Sequence, residues 1–143
     1  MRSLLDVNLL IALLDADHSL HQTALNWFAR HAAEGWASCP ITQNGCVRIL
    51  SQASYPNAVA AAEVAERLYE ATQGDGHAFW PDSISLLGPN RIDWPNLLSG
   101  RHLTDAYLIA LAAANRGRFA TLDHNVPVRA VIGADDAHVV VID

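Results

Sequence analysis

Residues 103–123 read LTDAYLIALAAANRGRFATLD, and this stretch decides the fold. Asp105 is followed by Ala106 to Ala114, apolar on every side, and a helix without a polar face is a buried one. Asn115-Arg116-Gly117 closes it, with Gly117 suited to the left-handed position that follows a helix. Phe119 to Leu122 then reads as a strand and Asp123-His124-Asn125 as a turn. A helix over 105–116 rises about 17 Å, and a strand over 118–122 returns about 16 Å. Asp123 is therefore expected to come back beside Asp105.

The amino end repeats the pattern in reverse order. Arg2 to Leu5 reads as a buried strand that passes through Asp6-Val7-Asn8 straight into an apolar helix, Leu9 to Leu14. A strand feeding directly into a helix is the mark of an α/β domain. Asp17 fits as N-cap of a second helix carrying Leu20, Ala24, Trp27 and Phe28, ended by Gly35. Trp36 to Ser38 is a strand, Thr42 opens a third helix through Leu50, and Ala58 to Thr72 forms a fourth, stopped by Gly74-Asp75-Gly76. His77 to Trp80 and Ser83 to Leu87 read as short strands, and Val139 to Ile142 as the last one. Alternating strands and helices predict a mostly parallel sheet covered on both faces, with no linker or repeat to divide residues 1–143 into more than one domain. Function in such sheets sits at the carboxyl ends of the strands.

Composition narrows the chemistry. The chain has 143 residues, 51% of them hydrophobic and 17% charged, with 15 acids against 9 bases and a net charge of -6. A domain of this size holds a core without disulfides or a structural metal. All the bases are arginine, which excludes Walker-type phosphate loops, Schiff-base catalysis and the lysine-dependent phospho-aspartate receivers and phosphatases. The acidic balance argues against a protein that holds nucleic acid mainly by neutralising phosphates, although cations gathered in an acidic pocket would invert the local field. Cys39 and Cys46 lack metal-site spacing and read as buried thiols of a reducing compartment. The run from Leu4 to Leu14, broken by Asp6 and Asn8, is too short to span a bilayer and too polar for a signal-peptide core. These features predict a cytoplasmic protein with no membrane association.

Asp6 stands where the first strand meets the first helix, so it emerges at the same sheet edge as Asp105 and Asp123. Each acid alone has an ordinary reading: a helix cap for Asp6, a dipole-favoured first-turn acid for Asp105, and a turn residue for Asp123. Together they would repel one another and raise each other's pKa values, an arrangement that hard divalent ions relieve. All-oxygen ligation suits Mg²⁺ or Mn²⁺, and such ions support in-line phosphodiester hydrolysis without a serine or cysteine nucleophile. Asn8, Asn125, Thr104 and Thr121 are candidates for holding water or orienting the acids.

On these residues the chain resembles the PIN-domain ribonucleases, and within them the VapC-type toxins of bacterial toxin–antitoxin pairs. The resemblance runs from Leu4-Leu5-Asp6-Val7-Asn8-Leu9-Leu10, through Pro40-Ile41-Thr42-Gln43-Asn44-Gly45-Cys46-Val47-Arg48, to Leu103-Thr104-Asp105-Ala106-Tyr107-Leu108 and Ala120-Thr121-Leu122-Asp123. It implies a PIN-like three-layer α/β sandwich, endoribonuclease activity dependent on Mg²⁺ or Mn²⁺, a small VapB-type antitoxin, and a homodimer. It also implies that Asp6, Asp105 and Asp123 bind the metal, that Thr121 supports the last acid, and that Thr42 and Arg48 flank a second acid. The family usually has a glutamate in the third helix, whereas no acid occurs here between Glu34 and Glu63, and Gln43 is at or near that place.

Two other readings compete. His102 and His124, near Asp105 and Asp123 in sequence, would serve a metal-free ribonuclease as acid and base. The missing glutamate instead suits a non-catalytic PIN-like module that binds RNA or protein. Arg48 and Arg101 are the arginines best placed for RNA phosphates, and Trp27, Trp36, Trp80 and Trp94 are candidates for the core or for base stacking.

Overall fold

A computed structural model describes residues 1–143. Ten principal elements follow in the order β1 (Ser3–Leu5), α1 (Val7–Leu14), α2 (His21–His31), β2 (Trp36–Ser38), α3 (Pro40–Leu50), α4 (Ala61–Ala71), β3 (His77–Phe79), α5 (Leu103–Ala114), β4 (Arg118–Thr121) and β5 (Val139–Val141). The five strands form one sheet in the order β3-β2-β1-β4-β5. Every pairing is parallel, so the sheet is wholly rather than mostly parallel.

Strand side chains alternate between faces, and this alternation divides the core. Leu4, Ala37 and Phe119 pack on one face against Ala106, Leu108, Ile109 and Leu111 of α5. Leu5, Trp36 and Ala120 pack on the other against α1, α2, α3 and α4, with Leu9, Trp27, Cys46, Val64 and Leu68 at the contact. α5 is thus covered by the sheet and by the segments from Trp80 to Ile92 and around Val131, which explains its lack of a polar face. Cys39 and Cys46 are buried free thiols, and burial pushes the Cys46 thiol up to about 12. No helix is long and apolar enough to cross a membrane.

Several local readings need correction. α2 starts at His21, and Asp17 caps nothing: its N–H is held by Asp15 Oδ1 at 3.0 Å and Leu20 N–H by His18 Nδ1 at 3.0 Å, so a side-chain-bonded turn delays the helix. α3 starts at Pro40, which fits the first helical position, while Thr42 caps from inside by accepting the Cys39 N–H at 3.0 Å. α4 occupies only Ala61–Ala71 of the expected span. Ser83 to Leu87 is turn rather than strand. The ladder ends where Trp80 N–H meets Ser38 O at 2.9 Å, because the next residue in register on the β2 side is Pro40, which has no N–H and already begins α3.

The left-handed residue after α5 is Arg116, with φ 59°, and not Gly117. Arg116 N–H reaches Ala113 O at 3.0 Å and Gly117 N–H reaches Ala112 O at 2.8 Å, the paired bonds of a Schellman turn. Gly117 is required for space: a Cβ there would lie 2.6 Å from Arg2 O and 2.6 Å from Trp80 Cη2.

Candidate active site

β1 and β4 lie side by side, but the chain leaves β1 toward β2 and β3 and returns to build β4 and β5 on the other side. The crevice above their carboxyl ends is therefore the topological switch point, where ligands bind in open α/β sheets. Asp6 follows β1 immediately, and its N–H donates to Ala120 O of β4 at 2.9 Å. Asp123 lies two residues beyond β4, and Asp105 in the first turn of α5 is brought to the same edge.

Asp6 is buried, 6% exposed, and both carboxylate oxygens are held. Oδ1 accepts the Val7 N–H at 2.7 Å, the cap that starts α1, and Oδ2 accepts the Thr121 hydroxyl at 2.7 Å. Thr121 Oγ1 also accepts the Asp123 N–H at 3.1 Å, so one fully buried hydroxyl ties two acids together. The cap reading of Asp6 is borne out, and the same carboxylate stands at the edge it shares with Asp123 and Asp105. Burial raises its pKa above the carboxylate norm, Asp123 adds to the rise, and the Thr121 and Val7 hydrogen bonds oppose it. Asp105 has no hydrogen-bond partner of its own, and its carboxyl is pushed up to about 7 by burial first, then by the charges of Asp6 and Asp123. The three aspartates share one electrostatic site, although no three His, Cys, Asp or Glu side chains are drawn together closely enough to hold a metal ion as a group.

A cleft of about 420 Å³ opens beside them, lined by Asp6, Asn8, Thr104 and Asp105 and, from α3, by Asn44, Gly45 and Arg48. Asn44 and Arg48 are one turn apart and both exposed, so they share a helix face. Gln43 is not on that face. Its amide donates to Ser38 Oγ at 2.9 Å, an oxygen shared with His77 Nε2 at 2.8 Å, and it lines a separate hollow with Val47 and Tyr69. Next to the expected position, α3 thus brings Asn44 and Gly45 to the cleft, one and two positions past it. Asn125 contributes its backbone N–H to Asp123 Oδ1 at 2.9 Å, but its side chain lines another hollow together with His102. His124 lines neither, so the two histidines are not brought together in the acidic cleft. Arg101 is exposed just before α5 and lines none of these hollows. Trp27, Trp36 and Trp80 are core residues, and Trp94 is exposed.

No protein-family model matches the chain. Among characterised proteins it is similar to Ribonuclease VapC44 of Mycobacterium tuberculosis, 47% identical over 138 residues that cover 96% of this chain and 97% of the relative. The chain belongs to the VapC ribonuclease family. Ribonucleases VapC39 and VapC29 of the same organism are 42% and 39% identical, each aligned with 86% of this chain and with 89% and 86% of the relative respectively. The solved structure of VapC20 from Mycobacterium tuberculosis, described as a sarcin-ricin loop cleaving toxin, superposes with a TM-score of 0.59 at 12% identity over 92% of this chain and 98% of that one. That likeness bears on the fold alone, and it agrees with a VapC architecture for the sheet order and layers described above.

Proposed function

We propose that this VapC ribonuclease is a toxin that hydrolyses RNA phosphodiester bonds at the edge formed by Asp6, Asp105 and Asp123, with Mg²⁺ or Mn²⁺ as cofactor. The observation that carries the proposal is Asp105: a half-buried carboxylate with no hydrogen-bond partner, raised to about 7 beside two other aspartates. The donor set is all oxygen, as hard cations require, and Mg²⁺ characteristically uses one or two carboxylates and completes its shell with water and substrate phosphate. A cation held by one or two of these carboxylates, with water and substrate phosphate completing its shell, fits that habit. When bound, the cation supplies the positive charge that polarises a phosphodiester and activates water for in-line attack.

The chain's own residues then have distinct tasks. Val7 N–H and Thr121 fix the Asp6 carboxylate in one orientation, and Thr121 holds Asp123 to the same frame. Arg48 lines the same cleft as Asp6 and Asp105, where a guanidinium grips an RNA phosphate in a planar fork. Asn8, Asn44 and Thr104 line the same space and offer hydrogen bonds to water or ribose. Arg101 is assigned to phosphates farther along the strand. An acidic cleft of this kind also receives an arginine of a VapB-type antitoxin, which we propose as the inhibitory partner. Homodimerisation and a cytoplasmic location belong to the same reading, the latter supported by two free buried thiols.

A second reading, a non-catalytic VapC-like module that binds RNA or protein, is favoured by one feature: α3 brings no acid to the cleft. Purified protein free of antitoxin, incubated with a mixed RNA pool, separates the two. Cleavage that requires Mg²⁺ or Mn²⁺, stops with chelator and is lost in Asp105→Ala supports the nuclease. Chelator-resistant cleavage transfers the chemistry to the histidines, and intact RNA under all conditions supports the module.

A further inference from the structure

A second hollow adjoins the acidic edge and plays no part in the mechanism above. It measures about 390 Å³, within the range of small-ligand sites, and is lined by Asn96, Leu98, His102, Asn125, Pro127 and Arg129 among others. It shares no lining residue with the cleft beside α3, yet it is tied to both outer acids. Asn125 N–H is bonded to Asp123 Oδ1 at 2.9 Å, and His102 is the residue before α5, three ahead of Asp105. The acids stand between the two hollows in the chain: Thr104 and Asp105 line one and His102 the other, while Asp123 leads into Asn125.

The chemistry of the lining is specific. The His102 ring, the Asn125 amide and the Arg129 guanidinium make no side-chain hydrogen bond within the fold, whereas Asn96 is already bonded to Asp93 at 2.7 Å. They are set against apolar wall from Leu98, Val126 and Pro127, and Leu98 is 87% exposed. A flat ring and apolar surface suit a base face, an amide reads a base edge, and an arginine holds a phosphate. In a chain of net charge -6, an arginine and an imidazole ring on this side of the acids mark where a polyanion leaves them.

We propose that this hollow is a nucleotide subsite: it takes the base and phosphate of a nucleotide next to the scissile bond in a single-stranded stretch of RNA, and so contributes to the choice of cleavage site. The proposal rests on the ribonuclease reading. It favours RNA over a protein partner because the free groups comprise one of each kind that a nucleotide needs and because their backbone is joined to two of the acids.

The test is binding of a short fluorescein-labelled single-stranded RNA of mixed sequence, followed by anisotropy in the uncleaving Asp105→Asn background over a series of salt concentrations. Added Arg129→Ala should weaken binding about fivefold and lower the slope of log affinity against log salt by about one. Added His102→Ala should weaken it roughly tenfold, the loss of one stacked base. In the otherwise unaltered chain, Asn125→Ala should redistribute cleavage positions in an RNA pool. The three side chains are on the surface, and unchanged melting temperatures show that the fold is kept. RNA binding that is indifferent to Arg129→Ala and His102→Ala overturns the subsite alone. Variants that keep RNA binding but lose a VapB-type partner overturn it in favour of a protein site. A parent chain that neither binds nor cuts any RNA overturns both the subsite and the reading beneath it.

Discussion

Replacing Asp105 by asparagine should stabilise the metal-free protein at neutral and alkaline pH while removing its activity. The Asp105 carboxyl rises from 3.8 to about 7 on folding, through burial first and then through Asp6 and Asp123. At about 1.36 kcal/mol per unit, that rise corresponds to about 4 kcal/mol of folding free energy lost once the group is ionised in both states. Asp105 is partly exposed, and screening by water and salt reduces the figure to about 2 kcal/mol. Because the folded value lies above the unfolded one, the contribution is fully present below about pH 4 and is lost as the pH rises through about 7. Asp6 is raised in the same sense. In chelator at pH 8, Asp105→Asn should therefore melt on the order of 6 °C above the parent, with the gap closing toward pH 4. Mg²⁺ should raise the parent's melting temperature and that of the variant much less, since a ligand stabilises only as far as it binds. A variant that melts at or below the parent at pH 8 in chelator, or an advantage that survives at pH 4, would refute the account of this site.

Three further outcomes follow from single contacts. Thr121→Val removes the donor to Asp6 Oδ2 and the acceptor of the Asp123 N–H; it should cost about 1–3 kcal/mol in denaturant unfolding and lower RNA cleavage at least about tenfold, both restored by Thr121→Ser. Gly45→Ala places a Cβ 2.7 Å from Val7 Cγ2 and should destabilise by about 1–3 kcal/mol, a loss that a double-mutant cycle with Val7→Ala should largely recover. Gln43→Ala should leave RNA cleavage near the parental rate because its amide serves Ser38 outside the cleft, whereas Asn44→Ala, on the cleft wall, should change KM for RNA.

What was legible in the sequence follows from how much chain each inference spans. Asp6, Asp105 and Asp123 could be placed together because a helix and a strand of matched rise must return to the same edge, and small errors at their ends do not alter that. Single-residue assignments failed where one residue changes the outcome. α3 begins at Pro40 and not Thr42, and one residue on a helix turns the side chain by about 100°, which separates Gln43 from Asn44. The exchange of roles between Arg116 and Gly117 was hidden because the tight approach of Arg2 O and Trp80 is a tertiary contact. Ser83 to Leu87 alternates like a strand, but nothing in its composition tells that the neighbouring strand has already turned into α3 at Pro40 and left the edge ladder without a partner. The hollow lined by His102, Asn125 and Arg129 is built from loops distant in sequence and had no periodicity by which to be found.

Packing accounts for the missing α3 acid at position 45, whereas at position 44 the cleft wall simply carries the neutral Asn44. Val7, the residue after Asp6, presses its Cγ2 into the space above Gly45, so the start of α1 and the middle of α3 meet where any Cβ would collide. A carboxylate at that point of the helix would force the two helices apart and move the Asp6 cap with them. The glycine therefore keeps α3 close to the acids while adding no charge, and the next cleft-facing side chain on that helix is Arg48. Negative charge at the edge is left to three aspartates, one between β1 and α1, one on α5 and one in the turn after β4, with the Arg48 guanidinium lining the same cleft. On the proposed metal-dependent reading, such a balance would hold a cation less tightly by itself than one with a fourth carboxylate, and would leave room in both charge and coordination for a phosphate oxygen. Substrate and metal would then reinforce each other's binding, since any coupling between two ligands is reciprocal.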